Sequence, residues 1–244
     1  NRKLHFLLSI RRLAPSPVTY LHCEEPFPMR LNADFSHFAC VTPEEYQWVD
    51  SPSAGVERMM FDRIGDEVAR ATSLVRYAPN TKFERHTHGG GEEILVLEGV
   101  FADEHGRYAA GSYLRNPIGT GHTPQIGEEG ALIFVKLHQF DPNDTLQLAV
   151  PAHRLPWQPD RRPRIAYKML HTYKQERTSL ERWSAGTSIT YPTLLGGLEF
   201  LILEGTLSDS EQSYTAGTWC RYPSGSAPAL TAGDDGVMMY LKRG

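Results

Sequence analysis

The stretch His86-Thr87-His88-Gly89-Gly90-Gly91-Glu92-Glu93-Ile94-Leu95-Val96-Leu97-Glu98-Gly99 decides the reading of this chain. Residues two apart on a strand project from the same face, so His86 and His88 form a pair of imidazoles a few ångströms apart. The glycines let the backbone turn where a Cβ would resist, and the chain returns with Glu92 opening the next strand. Ile94 to Leu97 is apolar at every position. Such a strand is covered on both faces, by a pocket within and by a neighbouring sheet without.

Sliding the chain against itself by 106 residues brings this stretch onto Pro192-Thr193-Leu194-Leu195-Gly196-Gly197-Leu198-Glu199-Phe200-Leu201-Ile202-Leu203-Glu204-Gly205. The register holds without a gap from Thr72/Thr178 to Lys136/Lys242, pairing Asp103, Tyr108, Gly111, Arg115, Pro117, Gly119 and Gly130 with identical residues. Upstream the offset is 109, with Trp48 meeting Trp157. Within each repeat, short runs of Ile, Val, Leu, Phe and Tyr are broken by Gly, Pro or Asp, which reads as strands and turns. Helical periodicity is scarce, and even Ile64 to Arg70 is bracketed by strand signals. The expected architecture is all-β, a double-sheet jelly-roll barrel used twice.

Downstream, Arg115-Asn116-Pro117-Ile118-Gly119-Thr120-Gly121-His122 fixes a tight turn before a third imidazole. These residues match the two cupin signature motifs, His-x-His-x3-Glu-x6-Gly and Gly-x5-Pro-x-Gly-x2-His, and the chain is identified as a member of that superfamily. It departs at Asn80, where a glycine is expected, and at Ile126, where an asparagine is expected. Asn tolerates the left-handed conformation, so the first change is mild. The metal ligands read from this pattern are His86, His88, Glu92 and His122. At the 106-residue offset they become Pro192, Leu194, Leu198 and Pro228, none of which can ligate. Glu93 persists as Glu199. The comparison therefore separates ligand from framework inside one chain, and predicts that Leu194 and Leu198 fill the vacated second pocket.

The Gly90 to Gly99 run and Arg115-Asn116-Pro117 also resemble the cupin domain of ChrR-type anti-sigma factors, most densely from Trp48 to Lys136. That resemblance implies a zinc-binding barrel attached to a helical domain that grips a sigma factor. The helical domain's His-x3-Cys-x2-Cys motif is not in this sequence, and His37 and Cys40 do not fit its spacing, which argues against direct sigma-factor binding. Two function classes follow: a metal-binding sensory or regulatory module in transcription or stress response, and a mononuclear Fe(II) dioxygenase acting on a small ketone or diketone. One divalent ion is expected, zinc first, with Fe(II), Ni or Mn as alternatives. A small-molecule ligand is expected in the first barrel. No catalytic residue is assigned.

Length suits two compact units, read as an extension over 1–44, a metal-binding barrel over 45–142, a connection over 143–153 and a barrel without metal over 154–244. With 22% charged residues and a net charge of −4, the chain has no electrostatic bias toward nucleic acid. Arg161, Arg162 and Arg164 read as a solvated linker. No apolar run is long enough to span a bilayer. Cys23, Cys40 and Cys220 form no Cys-x-x-Cys pair, which suggests a reducing compartment, and a cytoplasmic protein is expected. A homodimer is left open. Residues 1–28 have two readings, an extension upstream of a start at Met29 or an arm packing His5 to Leu8 on a barrel. His105, His138, His153 and His171 are expected to be structural, as are the recurring pairs Glu98/Glu204 and Arg115/Arg221, read as framework ion pairs.

Overall fold

The computed structural model describes residues 28–244; both readings of the first segment concern residues outside that range. Two large antiparallel sheets carry the fold. The first runs Arg30–Leu31, Val56–Ile64, Arg70–Tyr77, Ala131–Leu137, Glu92–Asp103, Ser112–Asn116, Leu148–Pro151. The second runs Gln158–Pro159, Ile165–Tyr173, Glu176–Trp183, Ala229–Arg243, Leu198–Ser208, Trp219–Tyr222, Ala39–Val41. From the second strand of each onward the order is the same, as the internal repeat predicts; Gln158–Pro159 answers to Trp48–Asp50, which pairs the same end of Val56–Ile64, and Arg30–Leu31 has no counterpart among the described strands of the second sheet. The described helices are two short 3-10 turns, Pro43–Glu45 and Ala152–Arg154, and none is long and apolar enough to cross a membrane.

The edge strands are exchanged. Ala39–Val41 precedes the first barrel yet pairs with Trp219–Arg221 of the second, and Leu148–Pro151 precedes the second barrel yet pairs with Ser112–Arg115 of the first. Each barrel thus closes one sheet edge with a strand from the segment leading into the other, which leaves fewer unpaired backbone groups exposed. Both strands lie in segments read from the sequence as an extension and a connection.

Period-two alternation sorts the apolar runs between two environments. Ile94 and Val96 join Val56, Val75, Ile133 and Val135 inside the first barrel. Leu95 packs instead with Phe61, Leu74, Phe134, Leu180, Leu201, Trp219 and Tyr240, a core shared by the two barrels. In the second repeat Phe200 and Ile202 face their own barrel while Leu201 faces the shared core. Gly99 and Gly205 interrupt these strands with φ of +66° and +75°, and a Cβ at either would run into the carbonyl of Gly130 or Gly236. Only glycine allows that close approach. Asn80 holds φ +60°, so asparagine does serve in the left-handed position, and Ile126 is buried in the first barrel.

Ionic links cross the shared core reciprocally. Lys136 of the first repeat donates to both carboxylate oxygens of Glu199 at 2.6 Å, and Lys242 of the second donates to Glu93 at 2.8 Å. Glu93 also accepts from Tyr240 Oη at 2.6 Å, and Glu199 from Trp219 Nε1 at 2.8 Å. Burial alone would raise the Glu93 carboxyl, but Lys242 and Arg115 overcome it and hold it at about 2. The framework role read for the two arginines is met, since Arg115 pairs with Glu93 and Asp144 and Arg221 with Asp62. Glu98 and Glu204 differ: both are exposed and neither has an ion-pair partner among the described residues.

Candidate metal centre

Three pieces of backbone bring the four predicted ligands together. His86–Thr87 pairs antiparallel with Gly121–His122, setting His86 directly opposite His122. The His88 N–H bonds the Thr120 carbonyl at 2.8 Å, which extends the pairing by one residue. Gly91, at φ +79° and packed against the Phe140 ring, turns the chain so that Glu92 starts the strand Glu92–Asp103. The ring centroids of His86, His88 and His122 lie 4.7 to 5.2 Å apart. One ligand atom from each of the four side chains falls within 4.8 Å of all the others.

The outer nitrogens fix which face each imidazole presents. His86 Nδ1 lies 3.0 Å from the Glu84 carbonyl, which can only accept. His122 Nδ1 lies 3.1 Å from Asp103 Oδ2. His88 Nδ1 lies 2.9 Å from Thr120 Oγ1, whose own proton goes to the Pro117 carbonyl at 2.6 Å, leaving an oxygen lone pair for the ring. All three rings therefore carry hydrogen on Nδ1 and turn the Nε2 lone pair inward, as metal-ligating histidines do.

The buried Nε2 atoms of His88 and His122 have no hydrogen-bond partner. Glu92 Oε2 stands 3.2 Å from the first and 3.5 Å from the second, without the alignment of a hydrogen bond. Buried nitrogens aimed at a shared point with a carboxylate beside them are costly unless something occupies that point. A divalent ion of borderline softness fits this donor set. Asn116 Nδ2 holds Glu92 Oε2 at 3.0 Å. Burial would raise the Glu92 carboxyl, yet the neighbouring His88 and His122 imidazoles and the Asn116 amide keep it at about 2. Burial lowers His86, while at His122 the bond to Asp103 outweighs burial and moves that imidazole upward. His86, His88 and Glu92 border a cavity of about 310 Å3 whose walls include Val56, Val75, Phe83, Ile133 and Val135.

At the equivalent place in the second barrel, Leu194 and Leu198 are buried and pack with Trp183, Tyr191 and Phe200. The predicted filling of the vacated pocket is what the structure contains. The supporting residues Asp103, Asn116 and Thr120 were not singled out by sequence. Asp103 recurs as Asp209, which accepts from Tyr214 and Tyr222 at 2.6 Å in the second barrel, so the repeat comparison sorts it as framework. Asn116 was detectable, because its counterpart is Tyr222 and the amide disappears along with the ligands. Of the other histidines, His171 bonds Asp144 at 2.9 Å and His138 lies on the cavity wall.

The sequence profile of the family described as ChrR Cupin-like domain matches residues 36–141 and again 146–244. The chain belongs to this family. No curated protein matches it. Among solved structures, this ChrR cupin-like chain is similar to a protein of Nostoc punctiforme described as a candidate dioxygenase, with TM-score 0.68 and 17% identity over 84% of this chain and 87% of that one. It is also similar to the bacterial pirin YhhW of Escherichia coli in complex with nickel(II), with TM-score 0.61 and 11% identity over 85% and 98% of the two chains. A third likeness is to the oxalate decarboxylase of Bacillus subtilis, described with Mn(II) centres, with TM-score 0.56 and 14% identity over 84% and 76%. At these identities the likeness concerns the fold. Two of the three nonetheless carry different metals, so the fold does not select one.

Proposed function

We propose that His86, His88, Glu92 and His122 hold one divalent ion, and that the first barrel is a mononuclear Fe(II) oxygenase for a small ketone or diketone. The observation that carries this reading is the position of three of the four donors, His86, His88 and Glu92, on the wall of a largely apolar cavity of about 310 Å3. A purely structural ion is closed off by its ligands, whereas an ion facing a cavity keeps positions for an exogenous molecule. When bound there, Fe(II) supplies Lewis-acid polarisation of a carbonyl and an electron source for dioxygen. The chain's own part is positional. The Nδ1 partners hold the three rings, Asn116 holds the carboxylate, and the valine and isoleucine walls exclude water and accept the apolar body of the substrate.

A second reading is a zinc-binding sensory or regulatory module, and the observation favouring it is the family profile that matches both halves of the chain. Metal content and oxygen uptake separate the two. The protein is expressed without an affinity tag, its metals are measured, and it is then loaded anaerobically with Fe(II) and given small β-diketones and aryl hydroxyketones. Repeated turnover that is lost in the metal-free protein and in His122→Ala is expected. Absence of uptake with zinc in the purified protein would transfer the function to the regulatory module.

A further inference from the structure

Cys40 and Cys220 are 180 positions apart in the chain, yet their sulfurs lie 2.7 Å from one another. The cause is the exchanged edge strand. Ala39–Val41 runs antiparallel to Trp219–Tyr222, and the register sets Cys40 directly across from Cys220. Both are free thiols. Cys220 is fully buried, and Cys40 on the sheet edge is partly exposed. Two sulfurs held this close by regular strand pairing meet the proximity that a disulfide demands without rearrangement of distant segments.

We propose that Cys40 and Cys220 form a reversible disulfide site, closed by a low-molecular-weight disulfide and reopened by a dithiol. Cys40, the less buried partner, loses its proton and attacks one sulfur of the oxidant; the oxidant's S–S bond breaks and one thiol leaves. Cys220 then loses its proton and attacks Cys40 Sγ of the mixed disulfide, forming the protein S–S bond and releasing the second thiol. The pair gives up two electrons and two protons, and the oxidant is reduced to two thiols. Burial pushes the Cys220 thiol upward, which keeps it inert toward the oxidant itself and confines first attack to Cys40.

The bond would lock a strap between the barrels. Upstream of Cys40, Arg30–Leu31 pairs with Arg63 and Ile64 of the first barrel. Beside Cys220, Arg221 donates to Asp62 of the first barrel at 2.6 Å and to the carbonyl of Asn32 in the strap at 2.7 Å. Oxidation therefore fastens one end of a segment whose other end is already paired with the opposite barrel.

The test equilibrates the full chain with a series of glutathione to glutathione disulfide ratios, then alkylates it, maps the peptides and measures the melting midpoint. Expected are a Cys40–Cys220 cross-linked peptide at the oxidising end, its loss with dithiothreitol, and a midpoint higher by about 10 °C, the scale for closing so long a loop in a chain of this size. Cys40→Ser, at a partly exposed position, removes cross-link and shift together, and Cys23→Ser keeps both. Cys40 and Cys220 that stay alkylatable across the whole series, a link from either one to Cys23, or a cross-link that leaves the midpoint unchanged would each overturn the proposal.

Discussion

The two barrels share the order of their main strands, the left-handed glycines Gly99 and Gly205 and the glutamate at the head of the long central strand, but part at the four candidate ligand positions. Where the first carries His86, His88, Glu92 and His122, the second carries Pro192, Leu194, Leu198 and Pro228. In one the space is lined by inward lone pairs beside a cavity; in the other it is packed with leucine and aromatic side chains. The barrel thus stands without the ligands, since the apolar version is as well buried as the polar one. Retention of buried imidazoles beside a buried carboxylate is then a matter of chemistry rather than of folding.

The strongest attempt to break this contrast is to remove the ligands. Replacing His86, His88 and His122 together by Ala is expected to reduce bound metal from close to one ion per chain to none, measured by elemental analysis. Stabilisation by metal in the parent should reach about 4 kcal/mol at a thousandfold excess over Kd, seen as a chelator-sensitive melting transition that the triple variant lacks. Metal retained by the triple variant would place a site outside these four residues.

Adjacent carboxylates offer the next contrast. Glu93→Gln removes the buried carboxylate that Lys242 and Arg115 share, leaving them Glu176 and Asp144, and a loss of about 3 kcal/mol is expected in denaturant unfolding, with metal content unchanged. Glu92→Gln should do the reverse, weakening metal while largely sparing the apo protein. Equal metal loss in the two would dissolve the distinction between ligand and framework.

In the second barrel, Leu198→Ala opens a cavity in a packed core and should cost about 2 to 5 kcal/mol in urea unfolding, again without touching metal content. Asp103→Asn weakens the hold on His122 Nδ1, and metal affinity is expected to fall about 10- to 100-fold by competition with a chelating dye. Asp209→Asn, the same change in the other barrel, should leave that affinity alone. A matching drop in both would mean that the aspartate acts through barrel stability.

A pH dependence is expected as well. Glu93 is held at about 2 in the fold against an ordinary 4.5. Its proton binds the unfolded chain more readily, so the stability it contributes is complete above about pH 5 and fades as pH falls through 4.5 toward 2. Melting profiles over that window should be flatter in Glu93→Gln than in the parent. Parallel profiles would assign acid lability to other carboxylates.

Much of the site was legible because its ligands obey local rules. His86 and His88 share a strand face, Gly91 turns the chain to Glu92, and the 106-residue repeat shows which positions change when the metal set is lost. The apolar run Ile94 to Leu97 likewise announced two covered faces, and the structure supplies both. What local spacing cannot express is which distant segments meet. Lys136 and Lys242 were visible as a repeated pair, but that each crosses to the other barrel's glutamate depends on how the sheets pack. Cys40 and Cys220 looked remote for the same reason, and although the 109-residue offset lays Ala39–Val41 on Leu148–Val150, that match does not show that each strand pairs with the other barrel.

The sequence by itself determined the all-β repeat, the four side chains of the candidate metal site and the position of its leucine-filled twin, because periodicity, turn chemistry and motif spacing act over a few residues. Tertiary structure alone decided the exchanged edge strands, the cross-barrel ion pairs, the Nδ1 partners that turn three imidazoles inward, and the meeting of two cysteines. Those features rest on pairings between segments far apart in the chain, where register and packing, not neighbouring residues, set the distance.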